Sequence, residues 1–323
     1  MYLKDEMILW SIIFSLTIKT GKVDTLLFNS NCLFEIFRKS IELNKNIFHC
    51  SYNERKSIIK TIDSLKEIEK LEELFNDFVF LKSLKNQVKV ENEIMRQENI
   101  KMVTYQCSDY PSDLRYTKLP PYVLYYKGSF PKEKNLKESL AIIGTRHPEI
   151  IEDKEFIENI GLYLKRKNGY NISGLALGCD EIGHRVTLEI GVKNIAILGQ
   201  GLGTFVYPKE NEKLAIEIIK KDGALISEIP PSISIKSIYL LNRNRLQVYL
   251  SKGICILESG SKGGTMTTLK YAIKEKRKVF IRNVEKNIEI FKKNKYKNIY
   301  FINSKEDIEK IDFLGDENYK LFN

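Results

Sequence analysis

Four stretches of this 323-residue chain combine glycines, hydroxyls and cations in a way that could hold an anion. The first is Leu140-Ala-Ile-Ile-Gly-Thr-Arg, an apolar run that turns at Gly144 and continues into Thr145 and Arg146. A glycine after a strand lets backbone amides approach a ligand, and a planar guanidinium suits phosphate. A plain tight turn is the competing reading. The second runs from Asn171 through Ser173 and Gly174 to Cys179-Asp-Glu-Ile-Gly-His. It is neither G-x-G-x-x-G nor a Walker loop, so dinucleotide and ATP sites of those kinds lack their motif. Asp180 and His184 stand four apart, on one helix face. That spacing allows an acid–base pair, but it reads first as a helix cap and a packed, hydrogen-bonded histidine. The third stretch, Ile195-Ala-Ile-Leu-Gly-Gln-Gly-Leu-Gly, has three alternating glycines, Gly199, Gly201 and Gly203, and leads to Tyr207-Pro-Lys-Glu-Asn. The fourth places Ser261, Lys262, Gly263, Gly264 and Thr265 between an apolar strand and a helix, with free amides, hydroxyls and one cation at a positive helix end. Between the third and fourth lies Asn242-Arg-Asn-Arg, where Arg243 and Arg245 read equally as phosphate ligands or as structural ion pairs.

The elements that must carry these loops follow from glycine and proline. Residues 1–127 hold one glycine, Gly21, whereas 128–264 hold sixteen of the eighteen, and no proline precedes Pro111. A hundred residues almost free of helix breakers, with apolar positions at helical spacing, predict an all-α unit over 1–100. Its helices fall at about Glu6–Ile18, Leu33–Leu43, Asn53–Leu65 and Lys66–Leu84, with Ser51 or Asn53 capping the third. Residues 101–323 read as α/β. Strands are expected at Leu140–Ile143, Tyr170–Ile172, Asn194–Leu198, Ala224–Ser227, Gly253–Leu257, Lys278–Ile281 and Ile299–Ile302, with helices between them at 153–167, 181–190, 211–221, 265–275 and 305–310. Apolar strands alternating with helices predict a parallel sheet covered on both faces. Such a sheet binds ligands beyond the carboxyl ends of its strands, where the four loops lie. Several such loops on one edge suit an extended ligand with many phosphates better than a mononucleotide.

Composition removes other classes. Net charge is +10, and Lys270–Lys297 alone holds eleven Lys/Arg against three Glu, consistent with a polyanion partner or with a solvated basic face. Five dispersed cysteines without a CxxC read as reduced packing thiols. Three histidines give no zinc-ligand spacing, so neither a metal nor another cofactor is expected. The longest apolar-rich stretch, Met7–Ile18, is shorter than the roughly 20 residues of a membrane helix. Two acids against one lysine in the first six residues do not read as a signal peptide, and a cytoplasmic location is expected.

The order of the motifs resembles that of the DprA/Smf family of DNA-processing proteins. The carrying residues are Tyr110-Pro-Ser-Asp-Leu, Pro120-Pro-Tyr-Val-Leu-Tyr-Tyr-Lys-Gly, Ala141-Ile-Ile-Gly-Thr-Arg and Ser173-Gly-Leu-Ala through Gly178-Cys-Asp to His184. Tyr207-Pro-Lys-Glu-Asn, Ser227-Glu, Arg243-Asn-Arg and Lys262-Gly-Gly-Thr before Ala272 complete the set, over about 105–311. The resemblance implies an extended Rossmann-like domain that binds single-stranded DNA without catalysing a reaction, dimerises through that domain, and assists the RecA recombinase in natural transformation. It also implies a SAM-like N-terminal domain over 1–100. Arg146 would then contact a DNA phosphate, and Lys262–Thr265 would form the second phosphate-facing loop; Gly144, Thr145, Ser173, Gly174, Arg243, Arg245 and Ser261 complete the expected DNA-binding set. Three departures stand out: Leu177 replaces the family's arginine in Gly-Leu-Ala-Arg-Gly, Leu240-Leu241 replace Phe-Pro, and the sequence given ends at Asn323 without the winged helix many members carry.

Two other classes compete. A LOG-type phosphoribohydrolase would need a glutamate where this chain has Thr268, and threonine cannot supply the charge that chemistry requires. A sensor of a small nucleotide would need a closed pocket in place of an open groove. In the DNA reading, Phe205, Tyr207 and Tyr239 are the candidate base-stacking aromatics, each equally plausible as core.

Overall fold

The computed structural model describes residues 2–17, 30–60, 78–117, 119–149, 154–291 and 298–312. Among these, nine strands form one sheet: β1 (Lys101–Thr104), β2 (Val123–Gly128), β3 (Leu140–Ile143), β4 (Asn171–Ser173), β5 (Asn194–Ile197), β6 (Ala224–Ser227), β7 (Gly253–Ile256), β8 (Lys278–Arg282) and β9 (Ile299–Ile302). Their spatial order is β1-β2-β6-β5-β4-β3-β7-β8-β9. The seven expected strands are present within a residue or two of their expected bounds. The sheet is mixed, however. β3 to β9 pair in parallel, while β1 and β2 add an antiparallel hairpin-like edge to β6, with Tyr125 opposite Ser227.

Both faces of the parallel strands are apolar, as crossover helices on both sides require. The pleat still sorts the side chains. Ala141 and Ile143 of β3, Ile195 and Ile197 of β5, and Ile254 and Ile256 of β7 face one side. There they meet Leu246 and Val248 of the helix Ser237–Tyr249, and Leu269 and Ala272 of the helix Gly264–Lys274. Leu140, Ile142, Cys255 and Phe280 face the other side, against Phe156, Ile160 and Leu164 of the helix Glu155–Lys167.

The N-terminal helices observed are Lys4–Thr17, Ser30–Glu42, Tyr52–Lys60 and Phe78–Gln97. Most of the expected helix Lys66–Leu84 lies outside the described residues, and the last helix runs well beyond Leu84. Ser51 is the cap of the third helix: Glu54 N–H donates to its hydroxyl (3.4 Å), and Ser51 N–H donates back to the Glu54 carboxylate (3.0 Å). The helical segment shares its core with the sheet. Trp10 stacks on Tyr122 with ring centroids 5.5 Å apart, and Ile8, Phe37 and Met95 join Tyr125, Leu198 and Leu225 in one cluster. Polar ties cross the same seam. Tyr239 Oη donates to Ser15 O (3.2 Å), and Ser232 N–H donates to the buried Glu91 carboxylate (2.8 Å).

The segment between the third and fourth loops, to which the sequence pattern assigns no element, is a helix. Asn242–Arg245 lies inside the helix Ser237–Tyr249, whose residues 243–249 are all buried. A helix enclosed on nearly all sides, with arginine, asparagine and glutamine among its buried positions, has no polar stripe to betray its period.

Candidate nucleic-acid interface

Strand order reverses beside β3. From it the chain winds one way through β4, β5 and β6, then crosses to β7 on the other side. Loops leaving neighbouring strands at such a switch point run in opposite directions and leave a crevice. A groove of about 560 Å³ opens there, lined by Gly144–Arg146 after β3, by Gly260 and Lys262–Thr265 after β7, and by Leu240, Arg243, Asn244 and Gln247 from the helix Ser237–Tyr249.

The structure therefore brings together eight of the expected residues: Gly144, Thr145, Arg146, Arg243, Lys262, Gly263, Gly264 and Thr265. Arg146 and Lys262 are exposed and form no ion pair among the described residues. Arg243 is only 5% exposed, and its Nε and Nη1 have no hydrogen-bond partner. Burial pulls its pKa down to about 10, opposed by Asp180 and assisted by Arg146. Among the described residues, Asp180 is the one carboxylate lining the groove, against three cations. Burial raises its pKa, while Arg243 and the N–H groups of Ala176 and Gly174 act in the opposite direction.

The β7 loop leaves the start of the helix that follows it open. Gly263 caps the helix Gly264–Lys274 at φ +112°, a conformation that favours glycine, and open space surrounds the position a Cβ would take. No side chain caps this helix, and its first turn carries no acid. Its leading amides thus add their partial positive charge to Lys262.

Other expectations are corrected. The Thr145 N–H is already committed to Glu258 O (2.8 Å), so it is not free for a ligand. The helix after β3 carries Glu155 and Glu158 in its first turn, whose charges oppose an anion at that helix end. Gly144 is required by packing: a Cβ there would collide with Cys179 and the Glu258 carbonyl. Gly201 and Gly203 likewise pack on the backbone of Pro230 and Pro231, so the close approach they permit is to this chain itself. Arg245 does not line the groove. It is 4% exposed and donates to both Glu228 carboxylate oxygens at 2.6 Å. Burial works to lower its pKa, but the charge and hydrogen bonds of Glu228, with Tyr249 and Tyr271, together outweigh it and the pKa rises. Ser173 is buried, donating to Ile142 O (2.6 Å). Gly174 lies directly against the Arg243 guanidinium, with no room for a side chain, and Ser261 is exposed beside the groove.

Asp180 and His184 do not form an acid–base pair. Asp180 sits inside the first turn of the helix Cys179–Ile190 and accepts from Gly174 N–H (3.0 Å), fixing the loop after β4. His184 Nδ1 lies 2.6 Å from Asn194 Oδ1, in a buried network with Asn171 and Thr187. Among the aromatics, Tyr207 lines the groove, Tyr239 is core, and Phe205 is exposed on a separate surface with Val206 and Ile216.

Asn244, Gln247 and Glu258 were not anticipated. The first two share one helix face with Leu240 and Arg243, a spacing legible once the segment is recognised as helical. The signal for Glu258 is its position: an acid directly after an apolar strand, at the carboxyl edge of the sheet.

A family model for DNA recombination-mediator protein A matches residues 101–299. Protein Smf of Synechocystis is 32% identical over 187 residues, covering 57% of this chain and 46% of that protein. The chain thus spans about half the length of the relatives it matches. The DNA processing protein A of Streptococcus pneumoniae superposes with a TM-score of 0.69 at 19% identity, over 96% of this chain and 99% of that one. That of Helicobacter pylori, whose structure concerns its single-stranded DNA binding mode, gives 0.55 at 26% identity, over 66% and 96%. With more than half of its residues matched by the family model, and a solved member sharing its fold from the helical segment to the last strand, the chain belongs to the DprA/Smf family of DNA-processing proteins.

Proposed function

We propose that this chain binds single-stranded DNA through the switch-point groove and acts by binding rather than by catalysis. The supporting observation is the convergence of Arg146, Lys262 and the under-bonded Arg243 from three separate elements on one open groove. The Helicobacter pylori neighbour, whose structure concerns its single-stranded DNA binding mode, is consistent with that chemistry. Phosphates would contact the exposed Arg146 and Lys262 and the leading amides of the helix Gly264–Lys274, with Tyr207 the aromatic placed to stack on a base. Thr268 gives this groove no carboxylate for glycosidic chemistry: its hydroxyl donates to Gly264 O (3.0 Å) inside the helix.

Binding of this kind is mainly counterion release, with a log–log salt slope of about −0.7 per phosphate contacted. The test is fluorescence anisotropy with a labelled single strand, its duplex, and a salt series. Preference for the single strand with a steep slope supports the reading; no binding at low salt removes it. Protection of single strands, RecA loading and a dimer joined through residues 101–323 extend the proposal. RecA filament assembly on strands precoated with this protein, together with light scattering for the dimer, checks them.

A further inference from the structure

The loop that carries Arg146 is held at both ends by a single residue. The Glu258 main-chain carbonyl accepts from Thr145 N–H (2.8 Å), and its carboxylate accepts from Glu149 N–H (3.0 Å). Lys286 completes the clasp, donating to Glu258 Oε1 (2.7 Å) and to Glu149 Oε1 (2.8 Å). These contacts push the Lys286 pKa up to about 12. Glu258 is 3% exposed at the end of β7, the strand beside β3 at the switch point, so its position is set by the sheet. The Thr145 carbonyl is committed too, accepting from Cys179 N–H (3.0 Å). Arg146 is thus an exposed cation, with no ion pair among the described residues, on a backbone whose flanks are fixed.

We propose that Glu258 is the positioning residue of this interface: it holds the 145–149 loop so that Arg146 faces the groove. This rests on the single-strand reading for its consequence in binding, though not for its consequence in the loop. Simple electrostatics makes the opposite prediction. Removing a carboxylate near a groove for a polyanion relieves repulsion and should tighten binding. If Glu258 acts by positioning, its loss weakens binding instead, because a mobile Arg146 must be ordered each time a phosphate is met.

The experiment is a double-mutant cycle on the full chain with a labelled single strand, paired with hydrogen exchange. Glu258→Ala removes the carboxylate contacts to Glu149 N–H and Lys286 and leaves the main-chain bond to Thr145. It is therefore expected to weaken binding by at most the factor for Arg146→Ala, on the order of tenfold for one charge-assisted contact. The two together should be little worse than Arg146→Ala alone, while Glu258→Ala combined with Lys262→Ala should be multiplicative. Glu258→Gln keeps the shape and one acceptor oxygen and should recover part of the loss. It also stands in should the alanine variant fail to fold. Exchange of the Arg146, His147 and Glu149 amides should accelerate in both variants with no DNA present. Tighter binding, unchanged binding, or a multiplicative effect with Arg146→Ala overturns the proposal. If the wild-type protein binds no strand, the single-strand reading fails by itself. In that case unchanged exchange at these amides overturns the positioning role, and faster exchange upholds it.

Discussion

Three arginines expected at one interface do three different things, and their surroundings decide which. Arg146 is exposed and has no ion pair among the described residues, so Arg146→Ala should leave the thermal midpoint nearly unchanged while weakening single-strand binding and making the salt slope shallower by about 0.7. A titration at three salt concentrations checks both. Arg245 is spent on Glu228 in the interior. Arg245→Met strands a buried carboxylate, which should cost about 3–5 kcal/mol of stability in chemical denaturation, with little change in binding per folded molecule. Arg243 lies between these cases, buried beside the groove with donors unmet. His184 adds a pH dependence. Burial holds its pKa down at about 4, with Asn194 opposing, whereas the unfolded chain carries an ordinary histidine near 6.5. The unfolded state therefore binds the proton first. The contribution of neutral His184 is fully present above about pH 6.5 and fades as pH falls toward 4, a loss of about 3 kcal/mol at most. Urea midpoints at pH 7 and pH 5 should differ accordingly, and His184→Gln should reduce the difference.

Among the elements, the helix Lys4–Thr17 contributes most to joining the helical segment to the sheet. Its Trp10 is fully buried against Tyr122, Phe37 and Phe48. Trp10→Ala should cost about 3–5 kcal/mol, read from the denaturation midpoint, because this aromatic cluster cannot close over the lost ring. The elements also show what the sequence can reveal. The seven strands β3 to β9 were legible because each is a short apolar run bounded by glycines or by helical patterns. β1, reading Lys-Met-Val-Thr, and β2, reading Val-Leu-Tyr-Tyr-Lys-Gly, were not. β2 pairs with β6, about a hundred residues away, and local pattern carries no trace of that pairing. The helix Ser237–Tyr249 stayed hidden because its polar residues point inward. The glycine-rich loop 261–265 was legible because glycine, hydroxyl and lysine before a helix act locally. The clasp by Glu258 was not, since it depends on β3 and β7 lying side by side.

At the scale of the molecule, helical segment and sheet share one apolar cluster from Ile8 to Leu225. Unfolding should accordingly be one cooperative transition in calorimetry, with calorimetric and van't Hoff enthalpies in agreement. A bound strand should raise its midpoint in proportion to the logarithm of strand concentration. The same shared cluster bears on where the chain can be cut. The family match covers residues 101–299, but the sheet face that includes Tyr122, Tyr125 and Leu225 is roofed by Trp10, Phe37 and their neighbours. A fragment trimmed to the matched residues would turn that roofed face out to water as a contiguous oily patch beside an antiparallel sheet edge. Such a fragment should light up a hydrophobic dye and clump as its concentration rises, with its groove loops still in place.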